Sequence, residues 1–494
     1  MPALMVVGTT SNAGKSMLVT VLCRHLARLG YRVAPFKGQN MALNAYVTAE
    51  GGEMGYAQAV QAWAAGREPV VAMNPILLKP QGDMTSQVIF QGQVVGTTSA
   101  ANYYRDYFEP GWQVVQQALM TLEPESNWIV CEGAGSPAEP NLKHRDLTNM
   151  RVARYLNAPT LLVVDIDPGG AFAHVIGTLA LLDPEERALI RGIVINKFRG
   201  QRSILEPALT WLEAETGIPV VGVIPYLAVD LPAEDSLNLL TRPRRNPDAE
   251  LQITVIRLPR VANFTDFDPL VAEPTVQVTY VSPGETLRPA DAVILPGTKT
   301  TVADLAVLRA SGLADQLTAY VHNGGHLIGV CGGFQMLGQM VADPAGREGE
   351  ALALPGLGLL PVTTALAADK ITRQRQVTSV YPQAGRPVAG YEIHQGRTQL
   401  LEPLQPLFDD PDLGVTDAAG RVWGMYLHGV WDNGPWRRDW LNGLRQRRGL
   451  PPLPGDVPDF HSQRLAALDR LADAVLPHLN LKHIHPGLKG NHLD

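Results

Sequence analysis

A chain of 494 residues is longer than one hydrophobic core usually organises, so its length predicts two major domains. Apolar residues make up 45% and charged residues 18%, the balance of an ordinary globular protein rather than of a disordered one. The formal net charge of −7 leaves no cationic surplus for a phosphate backbone, which argues against nucleic-acid binding, and no uninterrupted apolar run of about 18 residues is present to span a bilayer.

From the N-terminus, short apolar runs recur at 3–8, 32–36, 128–132, 160–165, 192–196 and 219–224, with helix-length stretches between them. This alternation predicts an α/β domain with a parallel sheet over residues 1–240. The polar, proline-containing segment 241–250 (TRPRRNPDAE) breaks the pattern and marks the expected domain boundary. Apolar runs resume at 252–258, 276–281, 291–296 and 326–331, followed by a helix expected over 335–341, so a second α/β domain is placed at 251–445. Within it, 359–427 is richer in strands and turns. The remainder, 446–494, holds an amphipathic helix expected over 460–479 and a loosely held end, 480–494.

The three cysteines, Cys23, Cys131 and Cys331, lie far apart without CxxC spacing, which argues against a disulfide framework or structural zinc and suits a reducing cytoplasm. The N-terminal MPALMVVGTT lacks the basic, apolar and cleavage regions of a secretory signal and reads as a first buried strand.

Gly8-Thr9-Thr10-Ser11-Asn12-Ala13-Gly14-Lys15-Ser16 follows that strand and opens a helix-like run. A glycine-rich turn in this setting aims backbone N–H groups at phosphate oxygens, and the helix N-terminus favours negative charge. Lys15 would then reach the terminal phosphates and Ser16 would ligate magnesium. The loop is one residue longer than GxxxxGK[ST], with Thr9 where the first glycine is expected, and resembles the dethiobiotin-synthetase-like branch of P-loop proteins. Glu132 ends a predicted parallel strand, on the edge where open α/β sheets bind ligands, and is the second candidate magnesium ligand. Lys37 either contacts the transferred phosphate or a substrate carboxylate, or is an ordinary surface lysine; Asn196, in NKFRG, is a candidate for recognising the nucleotide base. Asp165 and Asp167 are weaker candidates for metal or carboxylate work.

In the second half, Gly329-Val330-Cys331-Gly332-Gly333 reads as a nucleophile elbow, in which glycines allow a tight strand-to-helix turn that presents one side chain. A sulfur at a helix N-terminus is biased towards the reactive thiolate, whereas Cys23 and Cys131 read as inert core thiols. A thiolate attacking an amide needs a proton carrier and oxyanion donors. His428, at the end of a predicted strand in YLHG, is the first choice for the carrier and His394 the competing one; the backbone of Gly297 and the N–H after Cys331 are the candidate donors.

Taken together, GTTSNAGKS, PFKGQNMALNAYVT, MNPILLKP, EGAGSPAEPNL, NKFRG, LPRVANFTDFDPL, LPGTKT, GVCGGFQMLG, GYEIHQGRT and YLHGVW resemble the cobyric acid synthase family, the glutamine-hydrolysing enzymes of cobalamin biosynthesis. The resemblance covers nearly the whole chain and implies a dethiobiotin-synthetase-like P-loop domain followed by a class I glutamine amidotransferase-like domain. It implies ATP and Mg2+ as cofactors, with glutamine and a corrinoid a,c-diamide as substrates. The implied reaction amidates the b, d, e and g carboxylates through acyl phosphates, with ammonia freed from glutamine at Cys331 and His428. Many class I amidotransferases carry an acid two residues after the histidine; here that position is Val430, so the resemblance implies a Cys–His dyad, and Glu392 is a candidate for orienting His428. The nearest rival, the related a,c-diamide synthases, fits NKFRG and NFTDFDPL less well, and a partitioning-type ATPase leaves Cys331 unexplained.

Overall fold

The computed structural model describes residues 2–82, 84–227 and 246–483. Part of the expected boundary, 241–245, and of the C-terminal end, 484–494, lie outside the described residues.

The apolar runs of the first half become a six-stranded sheet ordered Val220–Pro225, Ile190–Phe198, Thr160–Asp165, Ala3–Gly8, Trp128–Glu132, Val33–Phe36, all parallel. Helices cover both faces, which is why the central strands read as unbroken apolar stretches: all six residues of Ala3–Gly8 are buried. The order places Ala3–Gly8 between its two parallel neighbours, so the loop that follows it opens at the carboxyl edge beside Glu132.

A smaller sheet escaped the sequence reading: Gln39–Met41, Ile76–Pro80, Thr85–Phe90 and Gln93–Ser99, with Ala45–Val47 and Glu53–Gly55 as a separate antiparallel pair. Its outer strand Gln93–Ser99 has no buried residue, so it lacks the apolar run used to find the others.

The second half is built on a seven-stranded sheet whose parallel part runs Val276–Val281, Leu251–Ile256, Ala292–Leu295, Leu327–Val330, Val422–Met425. A five-stranded sheet beside it contains the long antiparallel pair Val362–Thr378 and Pro387–Leu400, joined by Leu427–His428. The helix expected over 335–341 is instead Gly332–Leu337, and Met340–Asp343 is a strand. Gly338 ends the helix in an extended conformation, and the next apolar residues pair with Leu352–Pro355 and Val362–Thr378.

The helix Phe460–Val475 returns to the first half. It packs Leu468, Leu471 and Val475 into the same core as Leu18 and Leu22 of helix Lys15–Arg28, and Asp469 accepts two hydrogen bonds from Arg24, at 2.7 and 2.8 Å. No helix among the described residues is long and apolar enough to cross a membrane.

Candidate functional site

Two clusters of chemistry-bearing side chains stand at the carboxyl edges of the two parallel sheets. In the first, the loop between Gly8 and Lys15 closes around Lys15, whose Nζ donates to the carbonyls of Thr10 at 3.0 Å and Gly135 at 2.9 Å. Ser16 Oγ donates to Glu132 Oε1 at 2.8 Å, and Lys37 Nζ pairs with the same oxygen at 2.9 Å. Gln61 donates to the other oxygen of Glu132. Lys37 is therefore buried against a carboxylate, not a surface lysine. Its neighbour Glu132 is buried as well, so one charge compensates the other in a place where either alone would be costly.

Gly14 has φ 108° and its Cβ position is occupied by the Asn196 amide, which donates to the Ala13 carbonyl at 2.8 Å. Asn196 thus braces the loop from behind, a contact different from the base recognition expected of it. Asn12 is left-handed, with φ 60°, and its carbonyl accepts from Lys197 at 2.9 Å. Asp165 and Asp167 are engaged by Lys197 and Arg199, at 2.6 and 2.9 Å.

In the second cluster, Cys331 sits between strand Leu327–Val330 and helix Gly332–Leu337 with φ 51° and ψ −108°. A non-glycine residue held there costs about 1–3 kcal/mol and persists only where its surroundings enforce it. The enforcement is close packing: any side chain at Gly333 would overlap the carbonyl of Leu295 on the neighbouring strand, so the helix can run directly against the sheet and turn Cys331 into the cavity that His428 also lines. Cys23 and Cys131 are fully buried, and burial pushes both thiols up, away from reactivity.

His428 arrives on the two-residue strand Leu427–His428, flanked by Trp423 and Trp431, which are completely buried with ring centroids 6.4 Å apart. Gly297 lies against both centres: a Cβ there would stand 3.3 Å from His428 Cε1 and 3.6 Å from Cys331 Cβ. His428 Nδ1 donates to Asp266 Oδ2 at 2.6 Å, and Asp266 Oδ1 accepts the Gly429 N–H at 2.9 Å. His428 Nε2 has no hydrogen-bond partner among the described residues, so the ring's free edge is the one opposite Asp266. Burial alone would lower the proton affinity of the ring, but the charge and hydrogen bond of Asp266 and the adjacent Cys331 outweigh it and raise His428 to about 10.

Asp266 corrects the expected dyad: a carboxylate does hold the imidazole, and it comes from NFTDFDPL, 162 residues earlier in the chain. Glu392 is not that residue. It pairs with His394 Nε2 at 3.2 Å and with Arg373 at 2.6 Å. His394 lines the same cavity as Cys331 and His428, but its Nδ1 is also engaged, by the Gly396 carbonyl at 3.0 Å, and its ring stacks on Tyr426. Both of its nitrogens therefore have partners outside Cys331.

The first half also contributes to this cavity. Lys79, from MNPILLKP, lines it together with Lys370, and both reach Glu53, at 2.6 and 2.5 Å. Burial alone would raise the Glu53 carboxyl; Lys370 and Lys79 hold it down at about 2.

Residues 4–238 match the model of a CobQ/CobB/MinD/ParA nucleotide-binding domain, and residues 252–436 that of a CobB/CobQ-like glutamine amidotransferase domain. A cobyric acid synthase of Nostoc sp. is 64% identical over 98% of this chain and 100% of its own length. That of Acaryochloris marina is 62% identical over 98% and 99%.

The chain belongs to the cobyric acid synthase family.

It is accordingly a glutamine amidotransferase of cobalamin biosynthesis with a nucleotide-binding domain at its N-terminus. For a cobyric acid synthase family member, the contacts that sequence reading missed are Asp266 on His428, Gln61 on Glu132 and Glu53 between two lysines. The one available signal was composition: NFTDFDPL and PFKGQNM place polar residues among apolar ones, and Asp266 and Asn40 are buried there.

Proposed function

We propose that the chain uses ATP and glutamine to convert the b, d, e and g carboxylates of adenosylcobyrinic acid a,c-diamide into amides, giving adenosylcobyric acid. The observation that carries this reading is a strained, histidine-flanked thiol in the same chain as a phosphate loop.

A carboxylate resists ammonia because oxide would have to leave. Transfer of the γ-phosphoryl group of ATP to the carboxylate oxygen gives an acyl phosphate; ammonia then attacks the carbonyl and phosphate departs. The backbone of Thr9, Thr10, Asn12, Ala13 and Gly14 forms the cradle for the phosphates, and Lys15 neutralises charge at the transferred group. The loop suits a nucleotide: Thr9 Oγ1 is buried with no hydrogen-bond partner among the described residues, and Lys15 is held by two carbonyls that a phosphate can replace. Ser16 and Glu132 are hard oxygen donors in contact, the chemistry that magnesium takes. Magnesium bound by them would offset phosphate charge. Lys37 then keeps the Glu132 carboxylate oriented, and Asn196 keeps Gly14 in its left-handed conformation.

In the other pocket the Cys331 thiolate attacks the side-chain carbonyl of glutamine. The N–H groups of Gly297 and Gly332 receive the oxyanion, and the His428 imidazolium gives its proton to the departing nitrogen, so ammonia leaves and a thioester remains. Water, deprotonated by His428, attacks the thioester; glutamate departs and the thiolate is restored. Mass spectrometry of the corrinoid after incubation with ATP and glutamine tests the whole assignment. A product carrying the added amides is expected, and a corrinoid of unchanged mass with glutamine consumed would refute it.

A further inference from the structure

The cavity at Cys331 carries more charge than the hydrolysis of an amide requires. Three lysines line it, Lys79, Lys299 and Lys370, with one acid, Glu348. Two of the lysines are already spent, because Glu53 takes both Lys79 and Lys370. Lys299 and Glu348, which lie near enough to offset part of each other's charge, remain to face whatever enters.

Each is held in place by its backbone. The Lys299 N–H donates to the Arg260 carbonyl at 3.0 Å, fixing the loop that begins at Gly297. Asp343 accepts the N–H groups of Arg347 and Glu348, both at 2.8 Å, and the Glu348 carboxylate accepts the first amide of helix Thr301–Ala310. Burial is the largest influence on both charges, pushing Lys299 down and Glu348 up. Their mutual attraction does not cancel that burial, so each would gain from a further counter-charge brought in by a ligand. Gln335 adds an independent sign of a ligand: it is buried, lines the same cavity, and its Oε1 has no hydrogen-bond partner among the described residues.

Gly297, against Cys331 and His428, and Lys299 lie two residues apart along one loop, at most about 7 Å. A five-carbon amino acid with its amide carbonyl at Gly297 can place its α-carbon groups beside Lys299.

We propose that Lys299 and Glu348 bind the α-carboxylate and the α-ammonium of glutamine, respectively, and so set the selectivity of the pocket for a free amino acid over other primary amides. The assignment rests on the glutaminase reading of Cys331 given above. Gln335 Oε1 then accepts an N–H of the ligand's ammonium or amide.

Hydrolysis by the full-length enzyme should be measured with glutamine, with glutaramate, which lacks the α-ammonium, and with 4-aminobutanamide, which lacks the α-carboxylate. The wild type should favour glutamine over either analogue by roughly ten- to a hundredfold in kcat/KM, the effect of a lost charged hydrogen bond. Glu348→Gln should lose a similar factor on glutamine and almost nothing on glutaramate; Lys299→Met should lose it on glutamine and almost nothing on 4-aminobutanamide. Ammonium-dependent amidation, unchanged in both variants, reports folding. Should either variant fold poorly, the wild-type comparison still decides: equal kcat/KM for glutamine and both analogues overturns the proposal. Equal losses on glutamine and the matching analogue overturn it too. A wild-type enzyme that hydrolyses no glutamine removes the underlying glutaminase reading, a result distinct from either of these.

Discussion

Replacing Asp266 by Asn keeps the shape of the contact to His428 and removes its charge. In the parent, His428 moves from its ordinary 6.5 to about 10, a preference for the imidazolium of roughly 5 kcal/mol. Burial of the ring works against this rise, so Asp266, through its charge and its hydrogen bond, and to a lesser extent Cys331 must together supply more than the net change. Losing the charged hydrogen bond that holds the imidazolium costs about 1.5–3 kcal/mol, so glutamine-dependent turnover at neutral pH should fall about ten- to a hundredfold. Activity with ammonium salts in place of glutamine should be unaffected, because no ammonia need be released at Cys331. The pH profile carries a separate signature. The reactive state needs a protonated His428, so glutamine-dependent activity in the parent should persist well into alkaline pH, and in Asp266→Asn its decline should begin near neutrality. A variant with parental glutaminase rate and pH profile, or one whose ammonium-dependent activity falls in parallel, would refute the argument that this carboxylate acts through the imidazole.

Cys331→Ala should abolish glutamine-dependent synthesis and leave synthesis from ammonium salts; failure of that rescue means the two pockets do not divide the work as described. Lys15→Ala should eliminate both routes, since no acyl phosphate forms, and is checked by following phosphate release with the corrinoid present. Gly14→Ala should weaken nucleotide binding about tenfold or more, measured by calorimetry, because the new methyl group overlaps the Asn196 amide and φ 108° disfavours a side chain. The proton held by His428 also links to stability. A folded-state affinity above the unfolded 6.5 stabilises the fold fully below pH 6.5, and that contribution is lost as pH rises towards about 10, so the thermal midpoint of Asp266→Asn should approach that of the parent across this window.

The parallel strands and both loops that follow them were legible because their information is local. Ala3–Gly8 is a buried run with its glycine-rich loop immediately behind it, and Cys331 carries glycines on both sides. What could not be read depends on distance along the chain or on polarity. Asp266 and His428 meet across 162 residues, and one buried Asp in an aromatic-rich segment looks like any turn residue until the fold brings it to the imidazole. Lys37 was ambiguous for the same reason: a lysine after a strand gives no sign that Glu132, from 95 residues away, buries with it. The helix beyond Cys331 was misplaced because Gly338 separates two apolar stretches that composition alone does not divide.

Glu53 shares its two oxygens between a lysine from each half. Pulling the halves apart would strip this carboxylate of one ammonium group and leave Lys370 with no counter-charge from Glu53. Both groups are poorly solvated where they stand, so the assembled state is favoured over any arrangement in which the pieces drift. The same strand, Glu53–Gly55, leads directly into helix Tyr56–Ala64, whose Gln61 holds Glu132. One stretch of a dozen residues therefore has a foot in each workplace, and a shift of Glu132 at one end has a short, stiff route to the wall around Cys331 at the other.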